Sequence, residues 1–416
     1  MSAGTKPGAP IGWSGLGEHF PTLGRTINAH RLVYLDTAAT AQKPEGVIVA
    51  EQEYYRRTNA NVHRGIHTLA EEATAAYENC RTRVAALIGA PSRESVVITR
   101  NATAAINLVA RGLEHTFEPG DEILLTEMEH HANLVPWIML AGRTGVRLRH
   151  IPITDEGLLD LDRLPELLTA RTRLVSLVHV SNVLGTINPV REVAEAAHAA
   201  GARVLVDAAQ SVGHMPVSME ELGVDMLVFS AHKCYGPMGL GFLAATPALL
   251  EEMEPMEGGG EMINEVYLDR ATWAEPPLKF EAGTPNVAAA AAFPPALDML
   301  ENLGLESVRR HEEELAGYAL ERLAELPGLV VVGPHDPSLR GGLAAFHDPE
   351  VHPHDMATLL DQAGVAVRAG HHCAQPLHRR LGLVATTRAS FGVYSTREDI
   401  DALIEAIRFA RRYFSP

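Results

Sequence analysis

The chain has 416 residues, 46% hydrophobic and 21% charged, which excludes a disordered or fibrous protein and suits a large domain joined to a smaller one. Its 35 Lys and Arg stand against 52 Asp and Glu, and the formal net charge of −17 excludes a general nucleic-acid surface; small molecules and protein partners are expected. Three cysteines, Cys80, Cys234 and Cys373, are too few for a disulfide framework, and the sequence shows neither a signal-peptide pattern nor an apolar run of membrane-spanning length. A cytoplasmic protein without membrane attachment is expected.

Residues 1–18, rich in Gly, Pro and Ser, are expected to be a flexible lead-in. From Leu69 the apolar positions Leu69, Ala73, Ala76, Cys80, Val84 and Leu87 recur at three- and four-residue steps, which predicts a helix that buries Cys80. Strands and helices then alternate: SVVIT before TAAINLVARGL, EILLTE before a His-rich turn and helix, RLVSLVHVS before PVREVAEAAHAAG. Pro189 suits the first turn of that last helix and Gly201 its stop. ARVLVD, DMLVFS and GFLAAT are apolar without strict alternation, the mark of strands buried on both faces. The pattern predicts an α/β large domain over residues 19–290, built on a mainly parallel sheet flanked by helices.

Residues 291–416 carry strands (LVVVG, GLAAF, VAVRAG, TTRASFGVY) and helices without strict alternation, which predicts a smaller α+β domain, onto which the first residues of the large domain can also pack. The last helix opens with Thr396 and Asp399 in capping-box spacing and buries Ile400, Leu403, Ile404 and Ile407.

In an open parallel sheet, ligands bind beyond the carboxyl ends of the strands. Those ends bring Thr103, His130, Asn182, Asp207, Gln210, Ser230, His232 and Lys233 toward one pocket. Singly each has an ordinary explanation: Asp207 as a helix cap, His232 as a satisfied loop histidine, Lys233 as a solvated charge. Together they are the equipment of a pyridine aldehyde cofactor, with a lysine to bond the aldehyde and an aspartate to keep the ring nitrogen protonated.

The stretches VYLDTAATAQKP, NANVHRGIHTLAEEAT, MEHHANLVPW, VDAAQSVGHMP, FSAHKCYGPMGLG, KFEAGTPN and RAGHHCAQPLH resemble the pyridoxal-phosphate enzymes of fold type I in the class V aminotransferase group, and within it the SufS-type (group II) cysteine desulfurases. The resemblance implies pyridoxal 5'-phosphate bound by Lys233, with Asp207 at the pyridine nitrogen and Gln210 at the phenolic oxygen. It implies His130 stacked on the ring, with neighbouring His131 the alternative. Thr103, Ser230 and His232 would hold the phosphate, completed by Thr284 from the other subunit of a homodimer. Asn182, Arg388 and Arg368 would bind the substrate carboxylate, a task for the flat arginine fork.

Cys373 lies in a polar turn beside Arg368, His371 and His372, and an electropositive, partly exposed setting favours its reactive thiolate. The implied reaction converts L-cysteine to L-alanine and leaves a persulfide on Cys373. The sulfur then passes to an acceptor protein of SufU or SufE type for iron–sulfur cluster assembly, and L-selenocysteine is an expected second substrate. His354, in EVHPHD, is the candidate acceptor contact. Cys80 and Cys234 are expected to be packing residues. The chain departs from the family pattern at Gly392 and Ser395, which predicts a looser wall near Arg388, and at the basic run His378, Arg379 and Arg380.

Rival readings keep the cofactor and change the reaction, as in selenocysteine lyases, kynureninase-like hydrolases and aminotransferases, or treat HPHD and GHHC as a zinc site. Cys373 discriminates the first group, and Asp207, Gln210 and Lys233 stay unexplained by the second.

Overall fold

In the computed structural model, which describes residues 12–414, the apolar runs become one seven-stranded sheet. Its strands are β1 (Val96–Thr99), β2 (Glu122–Thr126), β3 (Arg147–Ile151), β4 (Thr172–Val178), β5 (Arg203–Asp207), β6 (Met226–Ser230) and β7 (Gly241–Ala245). The spatial order is β1, β7, β6, β5, β4, β2, β3; β6 through β3 pair in parallel, and β7 runs antiparallel to both its neighbours.

Alternate side chains of these strands enter two separate cores, as a pleated ribbon requires. Leu124, Val175, Val204 and Leu227 face one core. Ile123, Leu125, Leu174, Leu205 and Val228 face the other. The first is closed by α1 (Thr68–Leu87) and the second by α2 (Ala102–Gly112) and α3 (Val135–Thr144); α4 (Val190–Ala199) joins α1's side. Helix α1 buries Cys80 as its spacing predicts, but Leu69 is exposed and Ala70 takes the buried place at the first turn.

The smaller unit is an antiparallel sheet of β8 (Val330–Val332), β9 (Leu343–His347), β10 (Arg368–Gly370) and β11 (Thr386–Ser390), in the order β8, β9, β11, β10. It packs on α5 (Leu305–Ala324), α6 (Pro353–Gln362) and α7 (Arg397–Phe414) through Leu315, Phe346, Leu359, Ile400, Leu403, Ile404 and Ile407. Val33 and Leu35 join this core, and Val33–Tyr34 pairs in parallel with Val365–Ala366, so the chain's early residues brace the late ones. The capping box at α7 is reciprocal: Thr396 N–H donates to Asp399 Oδ2 at 3.0 Å, and Asp399 N–H to Thr396 Oγ1 at 3.3 Å.

Two boundaries differ from expectation. Residue 291 falls inside the helix Val287–Ala292, which is buried with the large sheet, and the core of the small sheet collects helix residues only from Leu315 on. Leu16 is buried too, so ordered packing starts before residue 18; residues 1–11 of the expected lead-in lie outside the described residues.

Candidate active site

The carboxyl ends of β2, β4, β5 and β6 meet the start of α2 and the small sheet around a cavity of about 220 Å³. Thr103, His130, Asn182, Asp207, Gln210, Ser230, His232, Lys233, Arg368 and Arg388 all line it, together with Ala38 and Ala39. Thr284 does not; it lines a neighbouring cavity of about 510 Å³ that shares Asn101 with the first.

On the sheet side, each group is fixed by backbone. Asp207 ends β5 and accepts from Ala209 N–H at 3.0 Å, with no cation at hydrogen-bond distance among the described residues. Burial raises its pKa, against the pull of Lys233. Lys233 closes the turn Ala231–Lys233 after β6, and its ammonium has no hydrogen-bond partner among the described residues. Burial lowers its pKa to about 8, with Asp207 opposing and Arg388 and Arg368 reinforcing. An amine so placed is a base and nucleophile near neutral pH.

Ser230 Oγ accepts from Ala102 N–H at 2.8 Å and Asn101 Oδ1 from Ala104 N–H at 2.8 Å, which places the N-terminus of α2, with Thr103 in its first turn, at the cavity edge. That end of an eleven-residue helix attracts anions. Gly241 makes the approach possible, because a Cβ there would sit 2.4 Å from the Asn101 backbone.

His130 accepts from Ala132 N–H through Nδ1 at 3.0 Å, so its Nε2 carries the proton. Burial, reinforced by Lys233 and His131, lowers its pKa to about 3, and the ring is neutral. His131 lies outside the cavity lining. Its turn is held from beneath by buried Glu129, which accepts from Thr126 Oγ1 at 2.7 Å, Asn133 Nδ2 at 2.6 Å and Val178 N–H at 3.0 Å.

The small sheet supplies the opposite wall. Arg388 Nη2 meets Asp36 at 3.1 Å and Nη1 donates to Asn182 O at 2.9 Å, while its buried Nε has no partner. Burial works against both charges, and their ion pair counters it.

Cys373, half-buried, follows β10 in a loop where His372 and Cys373 both have positive φ, 49° and 58°. The loop is tied down across the chain. His131 N–H donates to Cys373 O at 2.7 Å, Gln375 N–H to His131 Nε2 at 3.1 Å, and Asn182 Nδ2 to His372 O at 2.7 Å. His372 Nε2 and His378 Nε2 both reach Thr386 Oγ1, at 2.9 and 3.1 Å.

This geometry corrects three expectations. His372 is not a source of positive charge: burial, with Arg388 and His378 adding, lowers its pKa to about 2, and the cations coupled to Cys373 are Lys233 and Arg388. His378 is buried against Thr386, and Arg380, though exposed, reaches Glu127, Asp155 and Ile153 O, leaving Arg379 as the exposed member of that basic run without an ion pair among the described residues. Gly392 does not loosen the wall, because a Cβ there would lie 3.1–3.2 Å from Thr37, Tyr235 Oη and Tyr394. Ser395 Oγ accepts from Gly392 N–H at 3.1 Å and closes that tight turn. Cys234 is fully buried, and burial pushes its thiol up to about 12, which leaves it no role as a second nucleophile.

His354 is exposed in the first turn of α6, its ring 5.4 Å from that of His352. Among the described residues no group of three or more His, Cys, Asp or Glu could hold a metal ion, so HPHD and GHHC do not converge. No helix among them is long and apolar enough to cross a membrane. Asp36 and the Glu129 network carried no sequence signal as site residues: Asp36 meets Arg388 across 352 positions.

The family described as aminotransferase class-V matches residues 33–403. A probable cysteine desulfurase of Halalkalibacterium halodurans is 50% identical over 95% of this chain and 97% of its own. Another, from Streptomyces coelicolor, is 48% identical over 95% and 96%. The crystal structure of the cysteine desulfurase CsdA (S-sulfonic acid) from Escherichia coli covers 96% of this chain and 98% of its own, with a TM-score of 0.89 and 42% identity.

Proposed function

The chain belongs to the aminotransferase class-V family and is a pyridoxal-phosphate-dependent cysteine desulfurase; we propose that within this activity it is of the SufS type, storing sulfur as a persulfide on Cys373. The observation that carries the proposal is the meeting, in one cavity, of Asp207 and Lys233 with Arg368 and Arg388 of the sheet that carries the Cys373 loop.

The residues fit the cofactor. Asp207 is a buried carboxylate without a cationic partner, suited to a protonated ring nitrogen, and Lys233 is a half-buried amine with no hydrogen bond among the described residues. Lys233 would hold the aldehyde carbon, Asp207 the pyridine nitrogen, and Gln210 the phenolic oxygen. His130 would lie on the ring, and Thr103, Ser230 and His232 at the start of α2 would take the phosphate. Thr284 completes the phosphate site of a second copy in a homodimer, consistent with its place on the adjoining cavity.

Bound pyridoxal phosphate supplies an electron sink next to the substrate Cα. Arg388, Arg368 and Asn182 fix the L-cysteine carboxylate, and the unpartnered Arg388 Nε is a spare donor for it. Lys233, as a free amine, takes the Cα proton, and neutral His130 offers its Nε2–H as a hydrogen-bond donor without adding charge. Cys373 thiolate attacks the substrate sulfur: an S–S bond forms, the C–S bond breaks with its electron pair left on carbon, and protonation of carbon releases L-alanine. Selenium in L-selenocysteine is open to the same attack. The persulfide then passes to a SufU- or SufE-type acceptor that feeds iron–sulfur cluster assembly in the cytoplasm, and exposed His354 is the proposed SufU contact.

The test compares L-alanine released from L-cysteine under reducing conditions by the wild type and by Cys373→Ala. Alanine from the wild type alone is expected; equal alanine from both would remove Cys373 from its role. For the acceptor, His354→Ala should leave unassisted turnover unchanged and abolish stimulation by a SufU-type protein; undiminished stimulation removes His354 as the contact.

A further inference from the structure

One buried pair behind the cavity wall, in contact with the carbonyl of Lys233, has no part in the chemistry above. The turn Ala231–Lys233 has both of its last carbonyls engaged. His232 O accepts from Ala41 N–H at 3.0 Å, Thr40 Oγ1 at 3.1 Å and Lys43 Nζ at 3.1 Å. Lys233 O lies 3.1 Å from His214 Nε2, and His214 Nδ1 lies 2.8 Å from Glu312 Oε1. A backbone carbonyl and a carboxylate are acceptors, so both ring nitrogens must donate, which only the imidazolium can do.

His214 and Glu312 are 8% and 2% exposed, so water does not stand in for either bond. Burial opposes the charge on His214, but Glu312, through charge and hydrogen bond, together with the Lys233 carbonyl leaves its pKa raised. The carboxylate has room because position 342 is glycine: a Cβ there would lie 2.7 Å from Glu312 Oε2. His214 belongs to the loop that begins at Asp207, whereas Glu312 stands on α5, the helix that packs beneath the small sheet. The pair therefore spans the two units at the back of the cofactor lysine.

We propose that His214, held as a cation between Glu312 and the carbonyl of Lys233, is a positioning residue that sets the turn of the cofactor lysine and ties it to the unit carrying Cys373. The proposal rests on the reading of Lys233 given above.

The holoenzymes of wild type, His214→Ala, Glu312→Ala, Glu312→Gln and Lys233→Ala are compared after a check of fold by circular dichroism. Two rates are read: alanine formation, and return of the visible band of the lysine-bound cofactor once L-cysteine is exhausted. Loss of a charge-assisted bond predicts about a tenfold fall in kcat and in band return for His214→Ala and Glu312→Ala, with KM for L-cysteine within about twofold. Glu312→Gln still orients the ring through its amide, so both rates should stay within about threefold of wild type. Because His214→Ala leaves Glu312 buried and unpaired, Glu312→Ala keeps the test open if the former does not fold. Unchanged rates in Glu312→Ala, or Glu312→Gln as slow as Glu312→Ala, overturn the positioning role. A Lys233→Ala protein that keeps the band overturns the lysine assignment itself, a result distinct from either.

Discussion

The two walls of the cavity are held in different ways. On the sheet side, Asp207 and Ser230 end strands whose residues are almost all buried, and Lys233 follows directly on the second. On the other side, His372 and Cys373 sit in left-handed backbone that costs roughly 1–2 kcal/mol per non-glycine residue, and bonds from the His131 backbone N–H, the Asn182 side-chain amide and Thr386 restrain them. The difference matches two tasks. The cofactor wall must stay still through every turnover, whereas a thiol that attacks bound substrate and then yields its sulfur outward belongs on a loop with few, separable restraints.

The largest expected effect separates the walls. Lys233→Ala should remove the visible band of the lysine-bound cofactor and lower alanine formation by about 10³-fold or more, since it deletes both the attachment and the base. Cys373→Ser should lose persulfide and alanine to a similar extent, with the visible band intact. A Cys373→Ser protein that is also colourless would mean that the two walls are not independent. Spectrophotometry and an alanine assay on the same preparations decide it.

The sheet side was legible in the sequence and the loop side much less so. Strand ends fall at fixed points in an alternating pattern, so Asp207, Ser230 and Lys233 could be placed together from local periodicity alone. Nothing local marks His131 as a tether for Cys373, because its partners lie at Cys373 and Gln375, far along the chain. Charge was misread for the same reason: His372 is polar in the sequence, yet burial and two nearby arginines keep it neutral. At Gly392, a missing side chain suggested space, and only the packing shows that Tyr235 and Tyr394 have filled it. Tertiary contact decided each of these.

That filled space gives a stability test of intermediate size. Gly392→Phe should cost about 1–3 kcal/mol by overpacking, read as a lower midpoint in urea, because no aromatic ring fits beside Thr37, Tyr235 and Tyr394. An unchanged midpoint would restore the looser wall.

Thr386→Val sharpens the comparison further, since it strips the shared Oγ1 partner from His372 and His378 without touching the sheet side. Persulfide formation should slow by about tenfold while the cofactor band keeps its wavelength and intensity. A shift of the band instead would tie the loop to the ring more tightly than the hydrogen bonds indicate.

The smallest effect concerns pH. Cofactor-free enzyme must present Lys233 as a neutral amine to bond the aldehyde, and burial brings its pKa down to about 8. Deprotonation rises with pH, so the rate at which added pyridoxal phosphate restores the visible band should climb up to about pH 8 and level off above it. Arg388 and Arg368 contribute to that lowering from the opposite wall, so Arg368→Gln should move the midpoint upward by a fraction of a unit. A midpoint unmoved in Arg368→Gln would mean that the small sheet does not reach Lys233 electrostatically, and the lysine's pKa would then be set by the sheet side alone.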